Sequence, residues 1–329
     1  MPVLSNRSLP LTHPLSSYTK PNRVLKAWVL PTQDFVVRDR RYFIAGTAFE
    51  APDLAPGLYV VSTPIGNLRD MTLRGLETLA AADVIYCEDT RTSLKLCEHF
   101  GIGTPRKALH EHNERALVDT VLEDLRRGGR VALISDAGTP LLSDPGFPLV
   151  RAAREDGLPV FATPGASALL AALAVAGLPT DAFSFFGFLP PKTESRENAL
   201  RELAGRRETL VFYESPRRLG DCLASMAKVF GGERVGVVAL ELTKKFERVF
   251  RGPLGDLGPQ FADAEPRGEV VILVAGATEV VVDEEQWQAA LAEALADQPL
   301  RSAVDAVAAQ FGLKRKDVYD AALALKAQE

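Results

Sequence analysis

Two loops concentrate the residue types that could do chemistry. The first, Asp136-Ala137-Gly138-Thr139-Pro140-Leu141-Leu142-Ser143-Asp144-Pro145-Gly146, carries glycines, hydroxyls and carboxylates in eleven positions. Gly138 and Gly146 allow a ligand close to the backbone, and Thr139, Ser143 and the two carboxylates offer hydrogen bonds. The second, Thr163-Pro164-Gly165-Ala166-Ser167, is made of the same small and polar types. Two such loops on neighbouring strands make a pocket for a ligand rich in polar groups. No G-x-G-x-x-G follows a strand and no G-x-x-x-x-G-K-[ST] is present, which disfavours a nicotinamide Rossmann site and P-loop phosphoryl chemistry.

Titratable groups gather at three further places: Glu88-Asp89 ahead of Thr90-Arg91, His110 with His112, and Glu241 with Lys244-Lys245. Each has a plain structural alternative. Glu88-Asp89 can cap a helix and pair with Arg91. Two histidines without a third ligand are weak grounds for a metal site, and Cys87, Cys97 and Cys222 lack metal-type spacing, so no metal is expected. Lys244-Lys245 can be a solvated turn.

These loops need strands behind them. Leu58–Val61 is a short apolar run that stops at Ser62-Thr63-Pro64-Ile65-Gly66-Asn67, and Thr72 is placed to cap the helix LRGLETLAAA. Strands at 83–86, 131–135 and 160–162 alternate with helices ending near Phe100, Arg127 and Glu155. That alternation predicts an α/β domain with a mainly parallel sheet, whose ligands sit at the carboxyl ends of the strands. The Ala-rich helix 168–176 follows, and 183–186 reads as a last strand of this domain.

Leu189-Pro190-Pro191-Lys192 reads as a linker. A second α/β block follows, with a helix at 194–205 and strands at 209–213, 235–240, 248–251 and 268–274. Ser215-Pro216 is expected to cap a helix over 217–229. Beyond Ala277, three short amphipathic helices read either as a helix-turn-helix-like module or as a clasp on the core. The organisation is therefore an extension over 1–56, a first α/β domain over 57–188, a second over 189–277 and a helical appendage over 278–329. The extension lacks periodicity and reads as flexible rather than as a targeting segment. A strand at 28–37 or 41–44 is the one regular element it could hold, and removal of residues 1–50 is expected to leave the fold intact.

The chain has 329 residues, 47% apolar and 25% charged, as in an ordinary soluble protein of about two domains. No apolar run approaches the roughly 18 residues of a membrane span. Three cysteines suit a reducing, cytoplasmic setting. A net charge of −5 argues against polyanion binding by the whole surface but leaves room for a local basic face.

The series STPIGNLRDMTLRGLETL, EDTR, LHEHNE, SDAGTPLLSDPG, TPGASA, GFLPPK, FYESPRRL, ELTKKFE and RGEVVILV, in this order over about 57–276, resembles one family. It is that of the bacterial ribosomal RNA ribose 2′-O-methyltransferases with the tetrapyrrole methylase fold. The resemblance implies two α/β domains with S-adenosylmethionine in the cleft between them, and as substrate a cytidine in the decoding centre of 16S rRNA in the small ribosomal subunit. It implies a donor pocket lined by Asp136, Gly138, Thr139, Pro140, Ser143, Ala166 and Ser167, faced by Tyr213, Leu240, Glu241 and Gly268. It also implies a homodimer.

Methyl transfer from a sulfonium needs alignment above all, with a base to take the hydroxyl proton. The candidates are Lys244, Glu241, Glu88 and Asp89, together with His110. Lys244 is favoured beside Glu241, on the expectation that burial lowers its pKa. RNA phosphates would meet Arg69, Arg91, Lys192, Arg217 and Lys245. Thr63-Pro64-Ile65-Gly66-Asn67 stands where porphyrin-acting relatives have a glycine-rich loop, which favours the RNA branch. The alternatives are a methyltransferase of a tetrapyrrole precursor and a nucleic-acid scaffold with a dead donor pocket.

Overall fold

The computed structural model describes residues 39–262, 268–277 and 284–326. The first part of the expected extension, with the possible strand at 28–37, lies outside them. The remainder is not a loose extension. Arg41–Ile44 (β1) and Thr47–Glu50 (β2) form an antiparallel hairpin turned by Ala45-Gly46. Tyr42, 4% exposed, enters the core beneath it, and the Phe43 amide donates to the Phe100 carbonyl at 2.8 Å. Removal of residues 1–50 would therefore take a side chain out of a packed core.

The first sheet contains Gly57–Val61 (β3), Val84–Cys87 (β4), Arg106–Ala108 (β5), Arg130–Ile134 (β6) and Val160–Thr163 (β7). All its pairings are parallel, in the order β5-β4-β6-β3-β7. Leu73–Ala81 (α1) and Thr90–His99 (α2) cover one face with the hairpin, and Glu114–Arg126 (α3) and Phe147–Glu155 (α4) cover the other. Near-continuous apolar strands such as VIYC match burial on both faces. Thr72 caps α1 as expected, its Oγ1 accepting the Gly75 amide at 3.0 Å.

Two elements assigned by sequence to the first domain belong with the second sheet. Ala168–Ala176 (α5) packs its leucines and alanines against that sheet, and Phe183–Phe188 (β8) is its edge strand. An all-apolar helix carries no stripe to say which sheet it will cover. The sheet is completed by Thr209–Glu214 (β9), Val235–Leu240 (β10), Arg248–Pro253 (β11) and Val270–Val274 (β12), in the order β11-β10-β12-β9-β8. Only β8 and β9 run parallel; the remaining pairings are antiparallel, so the second block does not repeat the first. Thr193–Leu203 (α6), Leu219–Phe230 (α7) and Leu254–Phe261 (α8) cover its other face. Pro216–Arg218 is a 3₁₀ turn, and Ser215 makes no side-chain cap there.

Glu284–Asp297 (α9), Leu300–Phe311 (α10) and Arg315–Lys326 (α11) close a small core of their own around Trp287, Leu291, Val304 and Val318. A three-residue turn joins α10 to α11, as in a helix-turn-helix. Among the described residues no helix is long and apolar enough to cross a membrane.

Candidate active site

In the first sheet β3 and β6 are neighbours, but their outgoing chains cross to opposite sides, and such switch points open a crevice. The two loops are stitched together there. Thr63 and Gly138 exchange backbone hydrogen bonds of 2.8 and 3.1 Å. Ser62 Oγ lies 2.9 Å from Thr139 Oγ1, which in turn donates to the Ala166 carbonyl at 3.3 Å. The loops after β3, β6 and β7 thus form one wall.

The facing wall comes from the second sheet: Tyr213 and Glu214 at the end of β9, Leu242 after β10, and Gly268 to Val271 entering β12. A bulge in β8 at Gly187, φ +61°, lets the strand press against Ser143 and turns Phe188 into the gap. The cavity between the two walls is about 340 Å³, within the range of small-molecule sites. Of the five non-glycine residues with positive φ among those described, Leu141, Ser143, Glu241 and Thr243 lie in the loops flanking it. Strain of this kind collects where function over-determines the backbone.

Gly138, Thr139, Ser143, Ser167, Tyr213 and Gly268 line the cavity. Asp136, Pro140, Ala166 and Leu240 do not. Asp136 lies outside it and accepts the Asp89 amide at 3.0 Å, while Pro140 is buried and Ala166 supplies its carbonyl to Thr139. Leu240 points into the core under α6, α7 and α8, because strand residues alternate and Ala239 has the other face. Sequence reasoning passed over Ile65, Leu142, Phe188, Glu214 and Leu242, all in the wall, and gave Asp144 only as a hydrogen-bonding carboxylate of its loop. Asp144 and Glu214 were legible as polar residues at strand or loop ends; the apolar ones carry no such marker.

Lys244 and Glu241 stand together just outside the wall. Lys244 Nζ donates to Glu241 Oε1 at 2.9 Å and pairs with Glu269, and its aliphatic stem lies against Gly66 of the first domain. Partial burial favours the neutral amine, but the Glu269 and Glu241 carboxylates outweigh it and the pKa is raised. The expected lowering does not occur, and Lys244 is a fixed cation.

Asp89 caps α2 through the Arg91 amide at 2.8 Å, and the exposed Arg91 guanidinium holds its carboxyl down at about 2. Glu88 is pushed up by burial and by neighbouring Asp136 and Asp89. Asp144 is raised to about 6, chiefly by burial, against a hydrogen bond from Ser135 and with Glu88 and Asp136 adding to the rise. It is the one carboxyl both in the wall and poised near neutrality among those described.

Glu214 is fully buried, its Oε1 accepting the Ser215 amide at 2.7 Å and its Oε2 in an ion pair with Arg218 Nη2 at 3.1 Å. Arg218 also donates to the Leu189 carbonyl, so it holds the chain between β8 and α6. Arg69, Arg91, Lys192, Arg217 and Lys245 are all exposed. Contact between Gly66 and Lys244 sets the Arg69 and Lys245 loops side by side, and neither Arg69 nor Lys245 lines the cavity.

Residues 57–258 match the model of the tetrapyrrole (corrin/porphyrin) methylases, and residues 281–326 match that of the RsmI C-terminal HTH domain. Ribosomal RNA small subunit methyltransferase I of Mesorhizobium japonicum is 45% identical over 86% of this chain and 97% of its own. The proteins of that name from Pseudomonas aeruginosa and Escherichia coli O157:H7 are 46% and 44% identical, over 81% of this chain and 96% and 94% of theirs. Among solved structures, the methyltransferase CobJ superposes with a TM-score of 0.52 at 22% identity, covering 67% of this chain and 94% of CobJ, a likeness of fold. The parallel first sheet, the mostly antiparallel second and the three C-terminal helices thus have their counterpart in known proteins, and the chain belongs to the ribosomal RNA small subunit methyltransferase I family, built on the tetrapyrrole methylase fold.

Proposed function

We propose that this protein methylates ribosomal RNA of the small subunit, transferring a methyl group from S-adenosylmethionine to the ribose 2′-hydroxyl of a decoding-centre cytidine in 16S rRNA. The observation that carries this reading is a small-molecule cavity with exposed basic side chains, Arg69 and Lys245, one from each domain, on the two loops that also supply its wall residues Ile65 and Leu242. The names of its relatives support small-subunit ribosomal RNA as the substrate.

The cavity suits the donor. Bare backbone at Gly138 and Gly268, apolar cover from Ile65 and Leu242, and a few polar groups fit a nucleoside with a charged tail. When bound, S-adenosylmethionine supplies a methyl group already activated on a sulfonium. The chain must then align the hydroxyl, exclude water and receive a proton. Asp144 Oδ takes that proton, because its carboxyl lines the cavity and is basic enough to accept it near neutral pH. Burial keeps Asp144 basic, and the charges of Glu88 and Asp136 add to it. Lys244 orders Glu241 and Glu269 at the rim. The reading includes a cytoplasmic homodimer, which light scattering of the purified protein tests.

The deciding experiment supplies labelled donor with assembled small subunits, naked rRNA or a tetrapyrrole precursor. Label in the ribose of subunit RNA is expected. Label in the porphyrinoid, or in a base instead of a ribose, overturns the assignment.

A further inference from the structure

The loop joining β10 to β11 is braced by its own hydrogen bonds and leaves an aromatic ring in water. Within it, the Lys244 amide donates to the Glu241 carbonyl at 3.0 Å and the Glu247 amide to the Lys244 carbonyl at 3.2 Å. The Thr243 amide donates to the Glu247 carboxylate at 2.6 Å. Glu241 and Thr243 hold φ of +52° and +66° to make this turn. Inward, the loop gives Leu242 to the cavity wall. Outward it presents Phe246, 68% exposed, the most exposed large hydrophobic side chain among those described. Lys245 Nζ stands 5.5 Å from the centre of that ring. The first-domain loop that meets it through Gly66 and Lys244 carries Leu68 and Arg69, both exposed.

Lysine alone would serve for phosphate. A solvated phenyl ring beside a cation offers something more, a π face for a nucleobase with charge for the adjoining backbone. The cavity between the two walls makes this useful. A ribose hydroxyl reaches a recessed pocket only when its nucleotide leaves the helical stack, which deprives a neighbouring base of its partner. We propose that Phe246 stacks on an unpaired nucleobase next to the acceptor nucleotide, with Lys245 and Arg69 on the adjacent phosphates. This rests on the RNA reading above and names the contact that orients the strand.

The test compares full-length wild type with Phe246→Ala and Phe246→Trp. The readouts are kcat and KM for small subunits, affinity for S-adenosylmethionine by calorimetry, and mass in solution. Stacking predicts a KM for subunits raised about tenfold or more in Phe246→Ala. It also predicts recovery in Phe246→Trp, with donor affinity and mass unchanged. A KM equal to wild type in Phe246→Ala overturns the stacking role while leaving the RNA reading in place. A change of mass assigns Phe246 to a contact between copies of this chain and equally overturns it. Failure of wild type to label subunit RNA overturns the RNA reading itself.

Discussion

The carboxylate of Glu241 occupies the space where a side chain on residue 268 would begin: a β-carbon built on Gly268 overlaps Glu241 Oε1 and Cδ. Gly268 also sits at φ +88°, a conformation that other residues adopt only with strain. Glu241 cannot simply swing away, since Lys244 Nζ holds the same oxygen. Gly268→Ala is therefore expected to cost about 1–3 kcal/mol and to weaken donor binding, because residue 268 lines the cavity. Thermal denaturation and calorimetry check this. Unchanged melting temperature and affinity would show that Glu241 moves freely.

The second expectation concerns Lys244. Its pKa is raised, so it carries its charge throughout the neutral range and supplies no basic limb to the pH profile. Activity should be flat from neutrality to about pH 9. Lys244→Arg should keep most of it, and Lys244→Ala should lower it by leaving Glu241 and Glu269 unpaired. A rate that climbs through about pH 8–9 in wild type and not in Lys244→Arg would make Lys244 the base after all.

What the sequence revealed, and what it hid, follows from the physics of each signal. Strand, polar turn and capped helix are local, so β3, Thr72 and most elements of the first domain could be read directly, while β5, three residues of RKA at the sheet edge, carries too short a signal and was missed. Partnership between elements is not local. Nothing in ALLAALAVA says that α5 belongs to the second sheet, and FSFF does not say that β8 pairs with β9. The same limit governs the site. Gly138, Thr139 and Ser143 stand out in a loop by composition, whereas Leu240 and Leu242 differ only in which way the chain faces. Lys244 is the plainest case: burial was foreseeable, but its second carboxylate lies 25 residues away in sequence.

Tyr42 gives the third prediction. It stacks on Phe49 at 5.6 Å between ring centres and fills the core between the hairpin and the first sheet's helices. Tyr42→Ala should cost about 3–5 kcal/mol, the range for truncating a buried aromatic. Chemical denaturation measures it. A loss below about 1 kcal/mol would mean the hairpin contributes little to the stability of the first domain.

Asp144 carries the last. It must be ionised to take a proton, so the rate should rise with pH through about 6 and fall away below it. Asp144→Asn should lower kcat by roughly a hundredfold or more and remove that limb. Stability should move the other way. The folded-state pKa is raised from 3.8 to about 6, so the fold disfavours the carboxylate. That cost is absent below the unfolded value, grows between the two and is full above about 6. Asparagine has no such charge, so the variant should melt higher than wild type at neutral pH and lose this advantage in acid. Donor affinity by calorimetry separates a lost base from a collapsed pocket. An Asp144→Asn protein with a wild-type pH profile would return the proton to Glu88, whose carboxyl is also raised and lies behind the same loop.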